Sequence, residues 1–155
     1  MAEISTDWRV VESQKDADAL MEELSGFHDC FVTNLRYDAN LTEANGAPYG
    51  FPDKGTATVI LYSQWAGEHG WYVELEFSGN PAFCLQPEFS ISPLYSAEIK
   101  VVTMPHNGEP WVVMVDEDCG DIEPIDFVAG RNSSAMFVLA QSLRWRYLRP
   151  REMKR

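Results

Sequence analysis

The chain has 155 residues, 45% of them hydrophobic and 23% charged, which is the make-up of one globular domain over 1–155 and excludes a disordered tail. Its 12 Lys and Arg against 24 Asp and Glu leave a formal net charge of −12, which disfavours nucleic acid or anionic lipid as a partner of the main body. A chain of this size buries about 70% of its unfolded surface, so a core needs neither disulfides nor metal.

The first predicted element is a helix. Ser13 stands as N-cap with Asp16 three residues on, and Ala17, Leu20, Met21 and Leu24 follow at i, i+3, i+4 and i+7 before Gly26 stops the pattern. From Asp29 the period changes to two, with Phe31, Thr33, Leu35 and Tyr37 on one side of a strand and Cys30, Val32, Asn34 and Arg36 on the other. Ala39 to Gly55, rich in Gly, Pro and Asn, reads as an irregular surface excursion. Thr56 to Gln64 and Trp71 to Ser78 form an expected antiparallel pair, and Ala82 to Leu85 is a short strand. Ala97 to Met104 and Trp111 to Asp116 form a hairpin about Asn107-Gly108, the strongest turn cue in the chain. A short strand at Ile125 to Val128 leads into a second expected helix, with Met136, Phe137, Ala140, Leu143, Tyr147 and Leu148 as its apolar stripe and Pro150 as its end. The expected class is α+β: an N-terminal helix, five to seven mostly antiparallel strands and a C-terminal helix, with both helices on one sheet face.

Charge is unevenly spread along this plan. Residues 131–155 carry seven basic residues and one acidic one, a net +6, whereas the first 130 carry −18. The basic segment, ending in a tail over 149–155, is expected to pair with the acidic body. Met1 to Val10 lacks the basic and apolar regions of a secretory signal, and the longest helical apolar patch, Ala135 to Ala140, is far short of the ~20 residues that cross a bilayer. Cys30, Cys84 and Cys119 fit neither a disulfide framework nor a zinc ribbon. A reduced, cytoplasmic protein without cofactor or membrane contact is the expectation.

Two constellations bear on chemistry. His28-Asp29-Cys30 supplies the residue types of a thiol nucleophile with a base and an orienting acid, but adjacent strand positions splay apart, so this tripeptide alone assembles no triad. The alternative places Phe27 and Cys30 in the core, with His28 or Asp29 satisfying the turn. Asp116, Glu117, Asp118, Asp121, Glu123 and Asp126 put six carboxylates into eleven residues, without the glycine and glutamate spacing of an EF-hand. That run reads as a contact surface for a basic partner, a cation-binding loop or a plain solvated loop. Tyr49 and Phe51 add aromatics in the long excursion. Arg144-Trp145-Arg146-Tyr147 holds the raw material for base stacking, against which stands the preference of a helix C-terminus for cations.

Gly26-Phe27-His28-Asp29-Cys30 entering a strand, together with Ala140-Gln141-Ser142-Leu143-Arg144-Trp145 near the other end, resembles small uncharacterised bacterial domains in which a Phe-His-Asp step enters a β-rich body. Some of these are grouped with polymorphic-toxin immunity proteins, acidic cytosolic partners that occlude a toxin. Cys30 departs from the small polar residue expected there, and the Ala39 to Gly55 excursion has no counterpart. The expected function is therefore a non-enzymatic, acidic protein-binding domain that neutralises a basic toxin, with Asp116, Glu117, Asp118, Asp121, Tyr49 and Phe51 as the contact residues and no metal site. The alternative is a small cysteine-dependent hydrolase or transferase using Cys30 and His28.

Overall fold

The computed structural model describes residues 4–40, 42–44, 47–49, 55–66, 70–84, 97–104, 107–116 and 137–149. In chain order these form β1 (Arg9–Val11), α1 (Gln14–Glu23), β2 (Phe31–Asp38), β3 (Thr42–Ala44), β4 (Ala47–Tyr49), β5 (Thr56–Ser63), β6 (Trp71–Ser78), β7 (Ala82–Cys84), β8 (Ala97–Thr103), β9 (Pro110–Asp116), β10 (Phe137–Ala140) and β11 (Ser142–Leu148). One antiparallel sheet has the order β1-β11-β6-β5-β2 and a second β7-β10-β9-β8, while among the described residues β3 and β4 pair with each other.

The expected α+β class is overturned. The protein is mostly β, with nine strands in two antiparallel sheets and α1 as the one α-helix among the described residues. Phe137 to Leu148, expected within the second helix, forms β10 and β11 instead. Leu143, Trp145 and Tyr147 are buried at alternate positions, while Ser142 and Arg144 are exposed and Arg146 is half-buried, which is the two-residue period of a strand. Phe137 to Ala140 is buried on both faces, so its continuous apolar run carries no period that would separate strand from helix. Ala39 to Gly55 also holds more order than expected, since β3 and β4 pair there around positions 45 and 46. Position 149 is the last described residue, and the expected strand at Ile125 to Val128 lies outside the described residues.

The two sheets pack face to face. Val59, Leu61, Val73, Leu75, Phe77, Leu143 and Trp145 from the first meet Ile99, Val112, Met114, Val138 and Ala140 from the second in one apolar cluster, joined by Ala17, Leu20, Leu24 and Phe27. A smaller cluster of Val113, Val115, Phe137 and Leu139 lies on the other face of the second sheet. The sheets are knitted at a corner where two chain segments cross between them together. β6 leaves the first sheet for β7 through Gly79, and β10 leaves the second for β11 through Gln141, whose N–H donates to Gly79 O at 3.0 Å. Gly79 holds φ +81° with the Gln141 side chain against it, so a side chain at 79 would be both strained and crowded.

α1 starts at a complete capping box: Asp16 Oδ2 accepts from Ser13 N–H at 2.9 Å while Ser13 caps the Asp16 amide. Those bonds, the Ser13 hydroxyl first, hold the Asp16 carboxyl below its ordinary value. The helix lies along β8. Gln14 donates from Nε2 to Ile99 O at 3.1 Å and accepts from Val101 N–H at 2.8 Å, and Met21 Sδ accepts from Ile99 N–H at 3.2 Å. Three backbone groups on the outer edge of β8 are thereby occupied, so that edge is closed to another strand. At the far end Glu23 accepts from Arg9 at 2.7 Å and from the Tyr147 hydroxyl at 2.9 Å, tying the helix to β1 and β11. Burial first, and then the neighbouring Glu23, push the Tyr147 hydroxyl well above its ordinary range.

Candidate functional site

The chain leaves α1 through an unusual turn. Ser25, Gly26 and Phe27 occupy the left-handed region at φ +52°, +65° and +61°, and Asp29 follows at +57°. Left-handed backbone costs about 1–2 kcal/mol for an ordinary L-residue, so Ser25 and Phe27 are held there by what surrounds them. Phe27 is wholly buried, and Phe27 O accepts from Cys30 N–H at 3.1 Å, which closes the turn. The turn thus drives Phe27 and Cys30 into the core and leaves His28 and Asp29 on the surface.

This places the sequence-derived candidates apart. Cys30 is fully buried, and desolvation raises its thiol above the ordinary value. Ser63 Oγ, buried without a hydrogen-bond partner of good geometry, lies close enough to offset part of that rise, while the Asp29 charge adds to it. His28 is 57% exposed at its side chain and turns to Asp29, with Nδ1 and Oδ2 2.8 Å apart. These neighbours do not splay as strand positions would, because Asp29 is left-handed and the strand begins only at Phe31. A buried, protonated thiol beside an imidazole committed to another group is not a nucleophile–base pair.

Two further residues complete the surface group, and sequence reasoning passed over both. Gln64 donates from Nε2 to Asp29 Oδ2 at 3.2 Å, and the Trp65 indole N–H donates to His28 O at 2.9 Å. Trp65 follows β5 and is 54% exposed, so about half of it is open to solvent while one bond holds its indole N–H. Phe31, 40% exposed, begins β2 next to the same group. The available signal was a tryptophan inside a glycine-bounded hairpin loop, a position where burial does not explain the residue.

The basic residues of β11 are engaged within the fold. Arg144 bonds Glu76 with contacts at 2.7 and 2.8 Å, and Arg146 bonds Glu74 at 2.7 Å, each pair directly across from one another on β11 and β6. Both guanidinium groups also stack on Trp8, at 4.2 and 4.5 Å from its ring centre. Trp145 and Tyr147 point the other way, into the core, where their rings meet edge to face at 5.4 Å. Arg144 and Arg146 thus pair with the acidic body, on a strand rather than a helix end, and the basic residues at 131 and 150–155 lie outside the described residues.

Of the expected contact residues, Asp116 ends β9 and Tyr49 ends β4, each with only its backbone described; Glu117, Asp118, Asp121 and Phe51 lie outside the described residues. Among the described residues no three His, Cys, Asp or Glu side chains converge as metal ligands, and no helix is long and apolar enough to cross a membrane. No known protein family, curated protein or solved structure matches this chain.

Proposed function

We propose that this chain is a non-enzymatic protein-binding domain whose acidic and aromatic surface captures a basic protein, in the manner of an immunity protein that occludes a toxin. The observation that carries the reading is the disposition of charge. Arg9, Lys100, Arg144 and Arg146 are each engaged with a carboxylate of the same chain, while Asp7, Glu12, Asp18, Glu22, Asp38 and Glu109 lie exposed among the described residues of a chain of net charge −12. Such a surface speeds encounter with a cationic partner, and the acceleration falls as salt shortens the Debye length to about 8 Å at physiological ionic strength. The buried Cys30 thiol speaks against the cysteine-dependent alternative.

The test is co-expression with the products of the reading frames that flank the gene. The expected result is one product that arrests growth alone, does not do so beside this chain, and associates with it more slowly as salt rises. Charge reversal at Asp116, Asp118 and Asp121 is expected to slow that association further. Growth arrest that the chain fails to relieve, or the absence of any arresting product, overturns the reading.

A further inference from the structure

We infer that His28, Asp29, Gln64 and Trp65 form a socket for a cationic side chain, an arginine foremost, presented by the basic partner. The inference rests on the protein-binding reading above and assigns that reading a place in the fold. The socket is built from two short segments cross-linked twice: Gln64 to the Asp29 carboxylate at 3.2 Å, and Trp65 to the His28 carbonyl at 2.9 Å. These bonds tie the segment that carries the exposed Trp65 to the segment that carries the Asp29 carboxylate before any partner arrives. Asp29 Oδ2 accepts from Gln64 and lies 2.8 Å from His28 Nδ1, while Oδ1 has no donor among the described residues.

The molecule shows elsewhere what such a pairing of indole and carboxylate holds. Arg9 lies 4.5 Å from the Trp145 ring centre while bonded to Glu23, and Arg144 and Arg146 stack on Trp8 while bonded to Glu76 and Glu74. In each place an arginine joins the π face to the acid. At Trp65 and Asp29 the same two groups are carried on cross-linked segments, while Arg9, Arg144 and Arg146 lie on other rings. A planar guanidinium satisfies both groups at once, stacking on the indole and donating to the carboxylate, which an ammonium point charge does less well. Tryptophan fixed and exposed in this way is also the residue type that most often dominates binding at protein interfaces.

The experiment titrates the full chain with hexa-arginine amide and, separately, hexa-lysine amide at low salt, following the indole N–H of Trp65 and the side-chain amide of Gln64 by NMR. Saturable shifts at both groups are expected with the arginine peptide, at lower affinity with the lysine peptide. Trp65→Ala and Asp29→Asn, both at surface side chains, are each expected to weaken the arginine complex about tenfold as read at Gln64. Binding whose shifts avoid residues 28–31 and 62–65, and whose affinity neither substitution moves, overturns the socket and leaves the acidic-surface reading standing. Failure of both peptides to bind anywhere overturns both.

Discussion

Replacing Gly79 with alanine tests the corner that joins the two sheets. At φ +81° an alanine carries a backbone cost of about 1–2 kcal/mol. Its Cβ would also sit 2.9 Å from Gln141 Cβ, and that atom cannot swing aside because Gln141 N–H is bonded to Gly79 O at 3.0 Å. Crowding of this kind in a packed site adds about 1–3 kcal/mol. The combined loss of about 2–5 kcal/mol is a large part of the ~5–15 kcal/mol that holds a domain together, and lowers the melting temperature by roughly 10 °C. Gly108→Ala separates the two contributions, since Gly108 has φ +68° and an alanine methyl group there would meet nothing within 4 Å among the described residues, so the backbone cost is what remains. Urea unfolding followed by circular dichroism should show Gly79→Ala losing at least ~1 kcal/mol more than Gly108→Ala, with an unchanged dependence on denaturant. Equal losses at the two positions would refute the crowded corner, and a loss below ~0.5 kcal/mol at Gly79 would refute its strained backbone as well.

Gln14→Ala removes both side-chain bonds to the β8 edge and is expected to cost roughly 1–2 kcal/mol by urea unfolding; a change within ~0.3 kcal/mol would mean that the helix does not need them. Cys30 is expected to resist iodoacetamide in the native chain at pH 8 and to react once the chain is unfolded in urea, with the modified position read by mass spectrometry; labelling at equal rates in both states contradicts its burial. The folded-state pKa values of Cys30 and Tyr147 lie above their ordinary 9.0 and 10.0, so the unfolded chain loses these protons first as pH rises. The stability they contribute is complete below pH 9 and declines above it, more steeply past pH 10, whereas a flat profile between pH 8 and 11 would contradict both shifts.

Much of the first sheet and the first helix could be read from residue order because each presents a single period. Val73, Leu75 and Phe77 alternate with Glu74 and Glu76, and the structure keeps the first set buried while pairing the second with Arg146 and Arg144. Ser13 and Asp16 announce the helix start, and the capping box forms as the spacing requires. The reading failed where two periods overlap or one slips. Phe137, Ala140, Leu143 and Tyr147 suit a helical stripe, yet Leu143-Arg144-Trp145-Arg146-Tyr147 alternates strictly and is rich in aromatics that favour strands. Tertiary pairing with β6 on one side and β1 on the other decides between them. In β2 the phase slips at Thr33, where the register jumps between Val32 and Asn34, so Val32 and Leu35 both pack on the core although their spacing is odd. The candidate site was half legible for a related reason: His28 and Asp29 stood out by residue type, but their partners Gln64 and Trp65 arrive from a hairpin more than thirty positions away.

The edges of the two sheets limit what the described residues offer to another chain. An open strand edge offers backbone hydrogen bonds to any passing strand, and each edge here is blunted. β1 and β7 are three residues long, and β8 is covered by Gln14 and Met21 from α1. β2 is the long edge, with eight residues, but the slip at Thr33 breaks its ladder and Arg36 and Asp38 put charges along it. With backbone pairing discouraged on all four edges, what the described surface offers to a partner is fixed side-chain chemistry. The turn after α1 holds Ser25 and Phe27 in left-handed backbone to place one such group, and that strain serves recognition only if His28, Asp29 and Trp65 must stand where they do. Relaxing the turn is therefore the decisive perturbation: Phe27→Gly relieves the left-handed strain but empties the core position that aims His28 and Asp29 outward, so it should weaken capture of a basic partner by more than Asp29→Asn alone. Capture weakened only as much as by Asp29→Asn would show that the turn serves the fold and not the surface.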